Sequence, residues 1–131
     1  MRILLVNDDG IASPGLSALV QALSSYHSVV VTAPAAEQSG KSHAVTVRQC
    51  IEIERYQGFF PAVEAAWKIH GTPADCVKIY LEAMISEEGR PDLVISGINE
   101  GANLGTDVIY SGTVGAAMEG YMHQIPALAV S

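Results

Sequence analysis

Apolar residues along this chain fall into short unbroken runs separated by stretches of helical spacing. Ile3-Leu4-Leu5-Val6 is the first run, and Asn7-Asp8-Asp9-Gly10 follows it directly. Val29-Val30-Val31-Thr32-Ala33, closed by Pro34, is the second, and Asp92-Leu93-Val94-Ile95-Ser96 is the third. Runs of this length without polar alternation predict strands buried on both faces. Leu16, Leu19, Val20 and Leu23 recur at helical spacing behind Ser13-Pro14, a capping residue followed by one suited to the first helical position. Thr72-Pro73-Ala74-Asp75 opens a second helix with a cap, a proline and a carboxylate facing the positive helix end. Its apolar face is Val77, Tyr80, Leu81, Met84 and Ile85, and Gly89-Arg90-Pro91 ends it. A third helix is predicted over 113–123 and a last strand over 126–130. Residues 45–54 and 63–69 alternate, which predicts two more strands joined by a hairpin-like excursion through Gly58-Phe59-Phe60-Pro61.

Strand–helix alternation predicts an α/β sheet with right-handed crossovers. At 131 residues the chain supports one core, and 49% hydrophobic with 16% charged residues describes a packed domain rather than a disordered one. No apolar run approaches the length of a membrane span. Met1-Arg2-Ile3 enters a strand without a secretory cleavage region, so a cytoplasmic protein is expected. Cys50 and Cys76 lack metal-type or disulfide-framework spacing and are expected to be buried free thiols. The formal net charge of −7 disfavours nucleic-acid polymers and anionic membranes as partners. An acidic site that receives an anionic substrate needs a cation to reverse the local field.

Ligands of open α/β sheets collect at the carboxyl ends of the strands. Three loops are expected there: Asn7-Asp8-Asp9-Gly10, Ser39-Gly40-Lys41-Ser42 and Ser96-Gly97-Ile98-Asn99. Asp8 and Asp9 offer carboxylates, Ser39 a hydroxyl and Asn99 an amide oxygen, a set suited to Mg²⁺ or Mn²⁺ rather than zinc. The small-residue run Ser111-Gly112-Thr113-Val114-Gly115-Ala116-Ala117 leaves a helix start open to a phosphate group, although close helix–sheet packing accounts for it equally well. His43 and Lys41 read first as surface residues of a loop, and Trp67 and Tyr80 as core. His27, His70 and His123 show no ligand spacing.

Four segments together carry a family resemblance: Asn7-Asp8-Asp9-Gly10, Ser39-Gly40, Gly71-Thr72-Pro73-Ala74-Asp75-Cys76-Val77, and SGINEGANLGTDVIYSGTVGAAMEG from Ser96 to Gly120. With them the chain resembles the survival protein SurE family over essentially its whole length. The resemblance implies a Rossmann-like three-layer sandwich with a mostly parallel sheet. It implies a divalent-metal-dependent phosphatase of nucleoside 5′- and 3′-monophosphates, with one Mg²⁺ or Mn²⁺ per subunit. The metal ligands fall on Asp8, Asp9, Ser39 and Asn99, with Asp8 and Asp9 also in the catalytic role. The phosphate neighbourhood falls on Asn7, Gly40, Ser42, Asn103, Ser111, Gly112 and Thr113. Family members continue for about as many residues again, so residues 1–131 are expected to be a single domain truncated before a carboxy-terminal portion that completes the cleft and the homo-oligomer. Two other readings stay open at this level. A phosphoacceptor signalling domain also has an acidic pair after its first strand, but Ser96-Gly97-Ile98-Asn99 lacks the further aspartate it needs; a non-catalytic nucleotide-binding module is the other.

Overall fold

The structure, a computed structural model, describes residues 1–58, 60, 62–85 and 89–131. In chain order the elements are β1 (Arg2–Val6), α1 (Pro14–Leu23), β2 (Ser28–Pro34), β3 (Ile53–Arg55), β4 (Ala65–Ile69) and α2 (Pro73–Ile79). A π-helical turn (Tyr80–Met84) continues α2, and β5 (Leu93–Ser96), α3 (Asp107–Tyr110), α4 (Gly112–Met122) and β6 (Ala127–Ala129) complete the chain.

The strands form one six-stranded sheet in the order β3-β4-β2-β1-β5-β6. Every pairing is parallel except β3 with β4. The chain therefore builds outward from β1 through β2 and β4, then returns to the other flank of β1 as β5. Strand order reverses at the β1–β5 pair, and the loops that leave the carboxyl ends there diverge and open a crevice.

Buried β1 residues divide by alternation between two cores. Ile3 and Leu5 pack with Leu16, Leu19 and Val20 of α1 and with Val29 and Val31 of β2. Leu4 and Val6 pack on the opposite face with Cys76, Val77 and Tyr80 and with Ala116 of α4. This two-sided burial is why the strand runs are continuously apolar. Both predicted caps form: Ser13 Oγ accepts from Leu16 N at 3.3 Å, and Thr72 and Asp75 make a reciprocal capping box. The α/β fold with a mostly parallel sheet is as expected. Among the described residues no helix is long and apolar enough to cross a membrane.

Three expectations are corrected. The strand expected over 45–54 is confined to Ile53–Arg55. Its first half is diverted because Thr46 gives both its amide and its hydroxyl to Asp75, at 2.8 and 2.7 Å, and Val45 and Val47 are left exposed. Cys76 is buried as expected, whereas Cys50 is exposed, since it lies in the unpaired part of that segment. Trp67 is only partly buried, with Arg55 over its ring at 5.8 Å, while Tyr80 is fully buried in the core. The antiparallel β3–β4 pair fits the expected hairpin-like excursion, of which Phe59 and Pro61 lie outside the described residues.

Candidate active site at the carboxyl edge of the sheet

The loops after β1, β2 and β5 meet at the crevice. Asn7 is fully buried beneath the first loop, where its Nδ2 donates to Gly10 O at 2.9 Å and to Ser13 Oγ at 2.7 Å. That pair of bonds shapes the turn which turns Asp8 and Asp9 outward from the strand end. The second loop is tied to the first by Gln38 N, which donates to Asp8 O at 2.7 Å. The third is tied to it by Glu100 N, which donates to Asp9 Oδ2 at 3.1 Å and so brings the neighbour of Asn99 against the aspartate pair.

Asp8, Ser39, Gly40, Asn99, Asn103 and Ser111 share the wall of one cavity of about 250 Å³. Glu100, Asp107 and Tyr110 line it as well. Asp9 borders an adjoining cavity of about 490 Å³ together with Ser13, Glu37, Ser39 and Glu100. Ser39 belongs to both, so the two form one recess in which three of the four expected ligand positions share a wall and Asp9 stands beside them. Asn99 Nδ2 donates to Gly101 O at 2.9 Å, which leaves its Oδ1 as an acceptor. Buried Nδ2 of Asn103 has no partner among the described residues.

Asp8 is nearly inaccessible, and burial pushes its carboxyl above the ordinary aspartate range. Hydrogen bonding to Thr113 works against that shift, and the charge of Asp9 reinforces it. Thr113 Oγ1 donates to Asp8 Oδ1 at 2.6 Å and Thr113 N to Oδ2 at 3.1 Å. Close approach is possible because residue 112 is glycine: a Cβ there would lie 2.9 Å from Asp8 Cβ and 3.1 Å from Pro73 Cγ.

These contacts describe the surroundings of the expected phosphate neighbourhood. The amide of Thr113 is taken by Asp8, and that of Val114 by Ser111 Oγ at 3.1 Å, so this helix start is not an open anion cradle. Asn7, Ser42, Gly112 and Thr113 are not among the residues lining the cavity; Asn7, Gly112 and Thr113 are buried and Ser42 is half-buried. Ser42 is instead held through its amide by Tyr110 O at 2.9 Å. Sequence reading missed Glu100, Asp107 and Glu37. Their polarity within a loop-rich stretch was visible, but which of them face the recess depends on the short helix α3 and on long-range loop contacts.

The donor set fits a hard divalent cation. Carboxylate, hydroxyl and amide oxygens face the recess, and among the described residues no thiol or imidazole lies on its wall. Among the described residues no group of three or more His, Cys, Asp and Glu side chains could hold a metal, so any such site depends on Ser39 and Asn99 beside the aspartates.

Fold and site together define a doubly wound α/β protein with an oxygen-rich carboxylate site at its topological switch point. Comparison with known proteins is specific. The family described as "Survival protein SurE" matches residues 3–131. A protein named 5′-nucleotidase SurE from Heliobacterium modesticaldum is 49% identical over the whole chain, and one of the same name from Desulforudis audaxviator is 52% identical. The crystal structure of the SurE protein from Aquifex aeolicus superposes with a TM-score of 0.86 at 46% identity, covering 98% of this chain and 50% of that one. The chain belongs to the SurE family. It spans about half the length of these curated relatives, 47% and 50% respectively.

Proposed function

We propose that this chain carries the metal- and phosphate-holding part of a divalent-metal-dependent phosphomonoesterase that hydrolyses nucleoside 5′- and 3′-monophosphates to nucleoside and phosphate. One observation carries the reading: Asp8, Ser39, Asn99, Asn103 and Ser111, from separate loops, line one cavity at the switch point of a SurE-family chain. The name 5′-nucleotidase borne by its relatives supports the substrate class.

Asp8, Asp9, Ser39 and Asn99 would hold one Mg²⁺ or Mn²⁺. When bound, such an ion supplies positive charge to a phosphoryl oxygen and acidifies a water molecule. Asp8, fixed through both oxygens by Thr113, supplies a carboxylate whose position does not drift. Asp9 has one oxygen engaged by Glu100 N and is less buried, which supports it over Asp8 as the carboxylate that would take a proton from attacking water. The unpartnered Nδ2 of Asn103 and the hydroxyl of Ser111 are donors for phosphoryl oxygens. Carboxylates around the recess and the net charge of −7 make a cation necessary before an anionic substrate can enter.

The whole protein is read as a cytoplasmic homo-oligomer that takes a nucleoside monophosphate and no nucleic-acid polymer. A phosphoacceptor domain is disfavoured because β5 ends in Ser96 followed by Gly97, with no carboxylate at that strand end. Calorimetric titration with Mn²⁺, paired with phosphate release from nucleoside monophosphates, tests the reading. Stoichiometric Mn²⁺ uptake and metal-dependent release are expected. Mn²⁺ uptake with no release from the complete protein would leave a non-catalytic nucleotide-binding module instead, and no uptake at all would overturn the metal site.

A further inference from the structure

The segment between β2 and β3 carries Ser39, Gly40 and Ser42 but forms only turns, so its placement over the cavity depends on contacts from outside it. Those contacts converge on α4. Ser42 N donates to Tyr110 O at 2.9 Å, just before the helix. Gly115 lies so close beneath the segment that a Cβ there would be 2.2 Å from Ser42 O. One residue on, His43 Nε2 stands 2.5 Å from Glu119 Oε2. Glu119 is one helical turn past Gly115 and on the same face of α4.

The Glu119 side chain is only 4% exposed. A carboxylate buried to that extent is costly unless paired, and removing its partner is far more damaging than removing a surface ion pair. Three groups face it. Lys78 of α2 reaches only to 3.9 Å and is committed to Glu82 at 2.6 Å. His123, at the end of α4, lies 3.5 Å away with its Nδ1 against the carbonyl of Glu119 at 2.9 Å and its Nε2 against Glu82 at 3.1 Å. His43 is the neighbour at direct hydrogen-bonding distance, and it comes from the loop.

We propose that His43 and Glu119 form a positioning pair that locks the Ser39–Ser42 turn onto α4 and thereby sets Ser39 Oγ and Gly40 at the cation site. It rests on the functional reading above and adds its positioning machinery. Neither residue lines the recess, so the pair acts only through the loop. Burial of Glu119 provides the driving force: undocking the loop would remove its one direct side-chain hydrogen bond and leave it only Lys78 at 3.9 Å and His123 at 3.5 Å.

His43→Ala and His43→Gln in the purified protein separate the roles, because the glutamine amide N–H reaches about as far as imidazole Nε2. Hydrogen exchange of the Ser42 amide reads loop docking, and Mn²⁺ titration reads the site. In His43→Ala, Ser42 exchange should quicken and Mn²⁺ affinity fall, each by about tenfold for one lost charge-assisted hydrogen bond. His43→Gln should restore most of both, and Lys78→Ala should change neither. Unchanged exchange in His43→Ala would overturn the pair as a clamp. Faster exchange with wild-type Mn²⁺ affinity would overturn its positioning role. Wild-type protein that takes up no Mn²⁺, while its Ser42 exchange still responds to His43→Ala, would overturn the metal reading and not the clamp.

Discussion

Thr113 donates to both oxygens of Asp8, its hydroxyl at 2.6 Å and its backbone amide at 3.1 Å. The two residues are 105 positions apart, so the start of α4 and the end of β1 meet through this one bidentate contact. Helix N-termini favour negative charge, and here the protein supplies that charge itself. The same contact leaves a second lone pair on each Asp8 oxygen, because a carboxylate accepts more than one bond per oxygen.

Replacing Asp8 with Asn should therefore uncouple stability from metal binding. Burial already disfavours the charged form of Asp8, so removing the charge relieves a penalty, while the Asn oxygen accepts from Thr113 N and its NH2 donates to the Thr113 hydroxyl, which can accept as well as donate. Without metal, the thermal midpoint of Asp8→Asn should equal or exceed that of wild type. Its Mn²⁺ titration should show no binding heat. A variant that melts earlier yet still takes up Mn²⁺ would make Asp8 a structural turn residue.

Thr113→Val tests the same contact from the other side. The substitution is close to isosteric, keeps the backbone amide bond to Oδ2 and deletes the hydroxyl bond to Oδ1. Residues that orient a metal ligand typically change affinity by about 10- to 100-fold when removed. A fall in Mn²⁺ affinity of that size is expected, with about 1–3 kcal/mol lost in stability from the unmet Asp8 oxygen. Denaturant melts and calorimetry on one preparation measure both.

Much of this arrangement was legible along the chain, for a physical reason. β1, β2 and β5 are buried on both faces, so their unbroken apolar runs announce them, and the parallel sheet sends the loops after them to one edge. Ser13 and Thr72 each satisfy local helix amides, and local bonds leave local signatures. What escaped detection is long-range. Nothing near Thr113 or Glu119 indicates that their partners are Asp8 and His43, and a small-residue helix start reads as an anion cradle until its occupant is seen. Alternation over 45–54 misled for a similar reason, since Thr46 gives its amide to Asp75, 29 positions away, instead of to a strand.

Gly112 should tolerate no side chain. Its Cβ would fall 2.9 Å from Asp8 Cβ and 3.0 Å from Asp8 Oδ2, with Pro73 behind it at 3.1 Å. Gly112→Ala must push Asp8 away from Thr113 or lift α4, and overpacking of this kind costs about 1–3 kcal/mol. The expected outcome is a lower unfolding midpoint in denaturant together with weakened Mn²⁺ uptake. Wild-type behaviour in both assays would show that α4 is not held against Asp8.

Asp75 holds two structures together. Its carboxylate accepts from Thr46 N and Oγ1 at 2.8 and 2.7 Å and from Thr72 N at 2.9 Å. Asp75→Ala removes the side-chain half of the α2 capping box and the tether of the loop segment at once, while Thr72 Oγ1 still caps the amide of residue 75. The donors left without an acceptor, Thr46 N and Oγ1 and Thr72 N, cost about 1–3 kcal/mol. Asp75→Asn keeps an oxygen acceptor and should recover part of that loss. Equal stability of the two variants would mean that the carboxylate oxygens contribute nothing specific.

Glu64 supplies the pH-dependent prediction, from the edge of the sheet opposite the recess. It accepts from Ser28 Oγ at the start of β2 and pairs with Arg2 at the start of β1. The Ser28 hydrogen bond, aided by Arg2 and opposed by partial burial, holds its carboxyl below the ordinary glutamate range. A carboxylate whose pKa is lowered by folding stabilises the native state above its unfolded pKa, about 4.3, and that stability is lost as pH falls through the folded value. Side-chain exposure of 38% brings solvent screening, so the contribution is about 0.5 kcal/mol or less. Glu64→Gln should thus melt slightly below wild type at neutral pH, and the gap should close as the pH drops below the ordinary glutamate range. Added salt should narrow it as well. Mn²⁺ affinity should stay at the wild-type value, because Arg2, Ser28 and Glu64 sit at the amino ends of the strands and the metal ligands at the carboxyl ends. A pH-independent gap would assign the destabilisation to packing, and an altered Mn²⁺ affinity would show that the two edges of the sheet are coupled.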